Sequence, residues 1–163
     1  MISKNLQNAI NNQIHSEIYS SYLYMAMAAY ADGKNFKGIA NWFKVQSQEE
    51  WEHAMKFYNF LVERGAYVIF KAIEQPPSDF KSILQAFEAT LEHEKKVTAS
   101  IHKLYELAVK EGDYPTQVML HWFINEQVEE EANAMEIIEK IKLVGEKSGS
   151  ILWIDKELGS REK

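Results

Sequence analysis

Glycine and proline are scarce in this chain, and they mostly fall together. Five of the seven glycines and all three prolines gather at "ADGKNF" (31–36), "ERGAYVIFKAIEQPPSDF" (63–80), "KEGDYP" (110–115) and "GEKSGS" (145–150). Such clusters are turn and breaker signals. Between them lie four long segments, 4–31, 36–64, 83–111 and 115–144. As helices they each run on the order of 42 Å. A short fifth segment covers about 150–158.

Local signals agree with helices. Ser82 with Gln85 three residues later makes a capping box for the third. Pro115 suits a first turn, and Gly65 follows Arg64 as a helix stop should. The best strand candidate, "YVIF" (67–70), is too short to found a sheet. The expected fold is all-α: an antiparallel four-helix bundle over 4–144, with one long crossover between helices 2 and 3. With the short C-terminal helix it forms a single domain, 1–163.

Composition narrows the function. A chain of 163 residues holds one domain with a real core. Its net charge of −6 argues against nucleic acid and in favour of cations. The absence of cysteine removes disulfides, thiolate zinc sites and iron–sulfur clusters. No signal peptide and no membrane-spanning apolar run are visible, so a cytoplasmic protein without a membrane partner is expected.

A bundle core needs apolar residues at alternating steps of three and four. Helix 1 supplies Leu6, Ile10, Gln13, Glu17, Ser20, Tyr24, Met27 and Ala31. Helix 2 supplies Phe36, Ile39, Phe43, Gln46, Glu50, His53, Phe57 and Phe60. Helix 3 supplies Leu84, Phe87, Leu91, Glu94, Thr98, Ile101, Tyr105 and Ala108. Helix 4 supplies Leu120, Phe123, Gln127, Glu130, Ala134, Ile137, Ile141 and Val144. Each stripe is apolar at its ends and broken near its middle, by Glu17, by Glu50 with His53, by Glu94, and by Gln127 with Glu130. In antiparallel helices of similar length these middles share one height.

Four carboxylates and an imidazole therefore meet in one interior layer. Burying one carboxylate costs several kcal/mol even after relaxation, and four also repel one another. No Lys or Arg falls in the central layers of the stripes. Two divalent cations carry the charge that balances four glutamates, which makes Glu50 and His53 metal ligands. An oxygen-rich set with one imidazole suits iron or manganese.

Several motifs then carry a resemblance: "NNQIHSEIYSSYLYMAM", "QEEWEHAMKF", "EHE" at 92–94, "WFINEQVEEE" and "IDKEL" at 154–158. The chain resembles non-haem ferritins of the bacterial and archaeal type over nearly its whole length. Rubrerythrins, bacterioferritins and manganese catalases usually carry a second Glu-x-x-His on helix 4. Here that position reads Gln127-Val128-Glu129-Glu130. The resemblance implies an asymmetric di-iron centre. One iron is held by Glu17, Glu50 and His53, the other by Glu50, Glu94 and Glu130, with Glu50 bridging. Gln127 lies near the first iron, and Tyr24 close by as a donor or one-electron source. A third iron position is implied at Glu49, Glu126, Glu129 and Glu130, whose alternative reading is a solvated acidic face.

The resemblance further implies iron storage with ferroxidase activity, using dioxygen or peroxide, in a homo-oligomeric cage of twenty-four subunits. Tyr22, Met25 and Trp51 lie off the core registers and are available to a neighbour. Bacterioferritins place a haem-binding methionine after the bridging glutamate. Trp51 stands there in this chain, so no haem is expected. His15, His93, His102 and His121 are read as surface or interface residues, and Met25 and Met27 as packing groups. Two rivals remain: a peroxide reductase or manganese catalase on the same scaffold, and a bundle that sequesters metal without catalysis.

Overall fold

The computed structural model describes residues 1–145, 147 and 149–162; Glu146 and Ser148 of the last break, and Lys163, lie outside the described residues. Among the described residues five helices follow in order: α1 Lys4–Gly33, α2 Lys37–Glu63, α3 Ile83–Lys110, α4 Tyr114–Val144 and α5 Ile151–Gly159. Among the described residues there is no strand, and "YVIF" joins no ladder.

The ends are fixed by side chains. Ser3 caps α1 by accepting from the Leu6 N–H at 3.1 Å, and Ser82 caps α3 by accepting from Gln85 N–H at 3.1 Å. The other half of the expected capping box is displaced by one residue. Gln85 Oε1 accepts from the Lys81 N–H at 3.3 Å, not from that of Ser82. Asp113 caps α4 through Thr116 N–H at 3.0 Å. Arg64, just past α2, grips the same carboxylate with two nitrogens at 2.9 and 2.8 Å. That fork ties the end of α2 to the start of α4. Gly65 and Gly112 adopt φ of 67° and 64° after α2 and α3, in the left-handed region that a side chain would resist.

Contacts at matching depths establish an antiparallel bundle. Ser21 of α1 meets Ser47 of α2, Ser100 of α3 meets Gln13 of α1, and Gln46 of α2 meets Glu130 of α4. The connection between α2 and α3 returns along α1. Asn11 donates to Tyr67 O at 2.9 Å and accepts from the Ile69 N–H at 2.7 Å. Phe80 ends the run against Tyr30, with ring centroids 5.3 Å apart.

The expected stripes of α1, α2 and α4 face the interior, with Phe36, Phe60 and Val144 half-buried at the bundle ends. Helix α3 departs from its expected register. Phe87, Glu94, Ile101 and Ala108 are buried as expected. The intervening positions are filled by Ile83, Thr90, Val97 and Leu104, while Leu84, Leu91, Thr98 and Tyr105 are only half-buried. Both sets flank the same seven-residue line, and apolar character does not separate them. Contact with α1 and α4 rotates the helix toward the first set.

The core is divided. One apolar cluster holds Leu6, Ile10, Phe57, Leu61, Ile101, Leu120 and Phe123. The other holds Tyr24, Met27, Phe43, Phe87, Ile137 and Ile141, together with Ile151, Ile154 and Leu158 of α5. Between them lies a polar layer. Helix α5 docks where Gly38 leaves room: a Cβ there would fall 1.6 Å from the Asp155 carbonyl oxygen. Phe36 gives α2 no side-chain cap. Asp155 reaches across instead and accepts from the Ile39 N–H at 2.9 Å.

Candidate metal centre

The polar layer is built by four helices that each bring one carboxylate to mid-height. Glu17, Glu50, Glu94 and Glu130 have relative exposures of 1, 2, 1 and 5 %, and His53 of 4 %. Water does not solvate these charges, so their electrostatics is that of the interior. Burial first, and then the Glu50 charge, push Glu17 well above the usual carboxylate range. Burial, then Glu94 and Glu130, do the same to Glu50. Glu94 is raised by burial against the hydrogen bonds of Tyr24 and Gln127. Glu130 is pushed up to about 8 by burial and then by Glu94, against the Gln46 hydrogen bond. Without cations the layer keeps protons that ordinary carboxylates release.

Two groups of ligand atoms converge. Glu17, Glu50 and His53 each present an atom within 4.8 Å of the others, and His53, Glu126 and Glu130 do likewise. His53 Nδ1 lies 3.4 Å from Glu50 Oε2, and its Nε2 lies 3.9 Å from Glu126 Oε1. Glu17 Oε2 is buried with no hydrogen-bond partner. An orphaned buried acceptor costs roughly 1–3 kcal/mol, and a cation between Glu17, Glu50 and His53 would satisfy it. The donor set, carboxylate oxygens with one imidazole, fits iron.

Glu94 stands apart from both groups. Its carboxylate accepts from the Tyr24 hydroxyl and from Gln127 Nε2 at 3.1 Å. Gln127 is thus set against Glu94, and it also reaches Thr98 Oγ1 at 3.3 Å. Burial, then the Glu94 charge, hold the Tyr24 phenol well above its ordinary range. Of the four residues implied for a third position, Glu126 and Glu130 are drawn together with His53. Glu129 is exposed, and Glu49 pairs with Arg161.

A scan against protein families matches the ferritin-like domain to residues 7–144. The chain belongs to the ferritin family. It is 42% identical to the bacterial non-heme ferritin of Staphylococcus aureus (strain MRSA252) over 161 residues, covering 99% of this chain and 97% of the relative. A ferritin of the same description from Staphylococcus saprophyticus is 40% identical, over 99% and 96%. Among solved structures, the open pore ferritin of the hyperthermophilic archaeon Archaeoglobus fulgidus superposes with a TM-score of 0.97 at 50% identity, covering 99% of this chain and 98% of that one. The expected all-α bundle with a short fifth helix is the ferritin fold. Membership supports iron storage and an oxidoreductase role in general. No helix among the described residues of this ferritin is long and apolar enough to cross a membrane.

Sequence reasoning missed several groups that serve the layer. Gln13 donates to Glu17 Oε1 at 2.6 Å and is itself held by Ser100 Oγ at 2.6 Å. Gln46 donates to Glu130 Oε2 at 2.7 Å. Both glutamines sit in the expected stripes, so an amide four residues before a core glutamate was the available signal. His93 is half-buried, and Ser20 Oγ lies 2.7 Å from its Nε2. Burial, then Lys96, lower its pKa to about 4. A cation does approach the layer, and it is not on a bundle helix. It is Arg161, from the tail.

Proposed function

We propose that this ferritin takes up Fe²⁺ as a substrate, oxidises it at a dinuclear centre, and stores the ferric product inside a homo-oligomeric cage of twenty-four subunits in the cytoplasm. The convergence of Glu17, Glu50 and His53 around an orphaned buried oxygen carries this reading. Those three residues would hold one iron. Glu50, Glu94 and Glu130 would hold the other, so that two divalent cations balance four carboxylates. Each iron gives up one electron. Dioxygen takes the pair with two protons to become hydrogen peroxide, or hydrogen peroxide takes it with two protons to become water.

The protein's part is placement. Gln13 and Gln46 point amide donors at Glu17, Glu50 and Glu130, holding the carboxylates where cations can bridge them. Tyr24 and Gln127 hold Glu94, and that carboxylate would turn from them to reach a metal. Tyr24 would also supply an electron to an oxidant bound beside Glu94. Glu126, with His53 and Glu130, supports a further position for iron in transit, which Glu49 and Glu129 would flank. A single imidazole in the set favours passing iron onward over keeping it as a resident cofactor.

The test is aerobic addition of many equivalents of Fe²⁺ per chain. Wild type is expected to oxidise them rapidly and keep soluble ferric mineral in a large particle. Glu50→Ala with His53→Ala is expected to lose the rapid phase while the particle persists. Unchanged initial rates in that variant would reject the assigned centre, and uptake that stops at two or three irons per chain would reject storage.

A further inference from the structure

Arg161 follows α5, close to the end of the chain, yet its side chain is only 20 % exposed. It is held on several sides. The guanidinium lies over the Trp42 ring, 4.6 Å from the centroid. The residue's own carbonyl accepts from Asn41 Nδ2 at 3.1 Å. One arm, Nη1, donates to Gln46 Oε1 at 3.0 Å. The other, Nη2, donates to Glu49 Oε2 at 2.5 Å. The docking of α5 at Gly38 delivers it there, since a bulkier residue at 38 would push the whole tail outward.

The chemistry of that fork has a consequence one residue further in. Guanidinium is a donor only, whereas a glutamine amide donates from one end and accepts at the other. Which way an amide faces is decided by the network around it. With Arg161 in place the oxygen of Gln46 must face the tail, and Nε2 must face the carboxylates. There it reaches Glu130 Oε2 at 2.7 Å and Glu50 Oε1 at 3.3 Å. Without Arg161 nothing on the outer side dictates the orientation. A reversed amide would aim an acceptor at two carboxylates.

Resting on the di-iron reading above, we propose that Arg161 is a positioning residue for the metal centre, acting through Gln46. It locks the amide so that the N–H groups hold Glu50 and Glu130 in their ligating arrangement. The sign of its effect separates this from simple charge. A nearby cation repels incoming metal, so by charge alone its loss should tighten metal binding. Loss of a locked donor should weaken it. Partners one layer behind metal ligands typically contribute tenfold to a hundredfold in affinity.

Cobalt(II), added to the metal-free assembled protein and followed by visible absorption, reports affinity and stoichiometry without turnover. Wild type is expected to bind two per chain. Arg161→Gln is expected to bind about tenfold more weakly. Arg161→Lys keeps the charge but cannot span both partners, and is expected to show nearly the same loss. It also serves should the glutamine variant not assemble. In a Gln46→Ala background, Arg161→Gln is expected to cause no further weakening. Unchanged or tighter binding in Arg161→Gln, wild-type affinity in Arg161→Lys, or losses that add in full would each overturn the proposal. Wild type that fails to bind two cobalt ions would instead overturn the centre itself.

Discussion

Each glutamate of the polar layer is a residue whose folded environment favours the neutral form. The sign follows directly. Their folded pKa values lie above the unfolded value of about 4.3, with Glu130 at about 8. The folded metal-free protein therefore holds more protons than the unfolded chain across that window. What Glu130 contributes is fully present below about pH 4.3 and is lost as pH rises through about 8; Glu17, Glu50 and Glu94 shift in the same direction. Glu130→Gln is thus expected to raise the metal-free melting temperature at pH 8 and to change it little near pH 4. A drop at pH 8 would contradict this. Metal must displace those protons, so cobalt(II) affinity is expected to fall as pH is lowered from 8 to 6. Proton release should be visible by calorimetry in buffers of different ionisation enthalpy. At this scale the glutamates were legible because each interrupts an apolar stripe at a matching depth. Arg161 was not, because it follows the bundle and no periodicity connects it to residue 46. The pairing of Tyr24 and Gln127 with Glu94 was hidden too, since register gives height and facing but not side-chain partners.

The helices owe their ends to a few side chains, and those can be tested one at a time. Asp113 caps α4 and pairs with Arg64, and the Arg64 hydrogen bond holds its carboxyl well below the usual range. The stability it contributes is present above pH ~3.9 and is lost as pH falls further. Asp113→Ala is expected to cost about 1–2 kcal/mol at neutral pH by urea denaturation; no loss would show that the link between α2 and α4 is idle. Gly38→Ala meets the Asp155 carbonyl at 1.6 Å. It is expected to undock α5 or to cost on the order of 3 kcal/mol, and with α5 it should weaken cobalt binding as Arg161→Gln does. Helix number, length and order were readable from breakers and caps. The rotation of α3 was not. Leu91 and Thr90, or Tyr105 and Leu104, are equally acceptable to a three-and-four pattern, and only neighbouring helices decide between them.

Over the whole molecule, two apolar clusters clamp a layer that is unfavourable alone. The clusters supply the stability, and the layer supplies the chemistry. The outside is unfinished in a single chain. Tyr22, Met25 and Trp51 are 52, 46 and 47 % exposed, and with Ile73 they line one apolar hollow of about 350 Å³. The proposed cage would cover it. Trp51→Glu is expected to shift light-scattering size from a large particle to small species, and an unchanged particle would place the subunit contact elsewhere. The central claim, that this layer is a seat for two cations, is tested most directly by anomalous diffraction at the metal edge from crystals soaked in Fe²⁺ without oxygen. Two peaks per chain are predicted, one among Glu17, Glu50 and His53 and one among Glu50, Glu94 and Glu130. A bundle interior without a peak, in crystals that bind iron elsewhere, would contradict it.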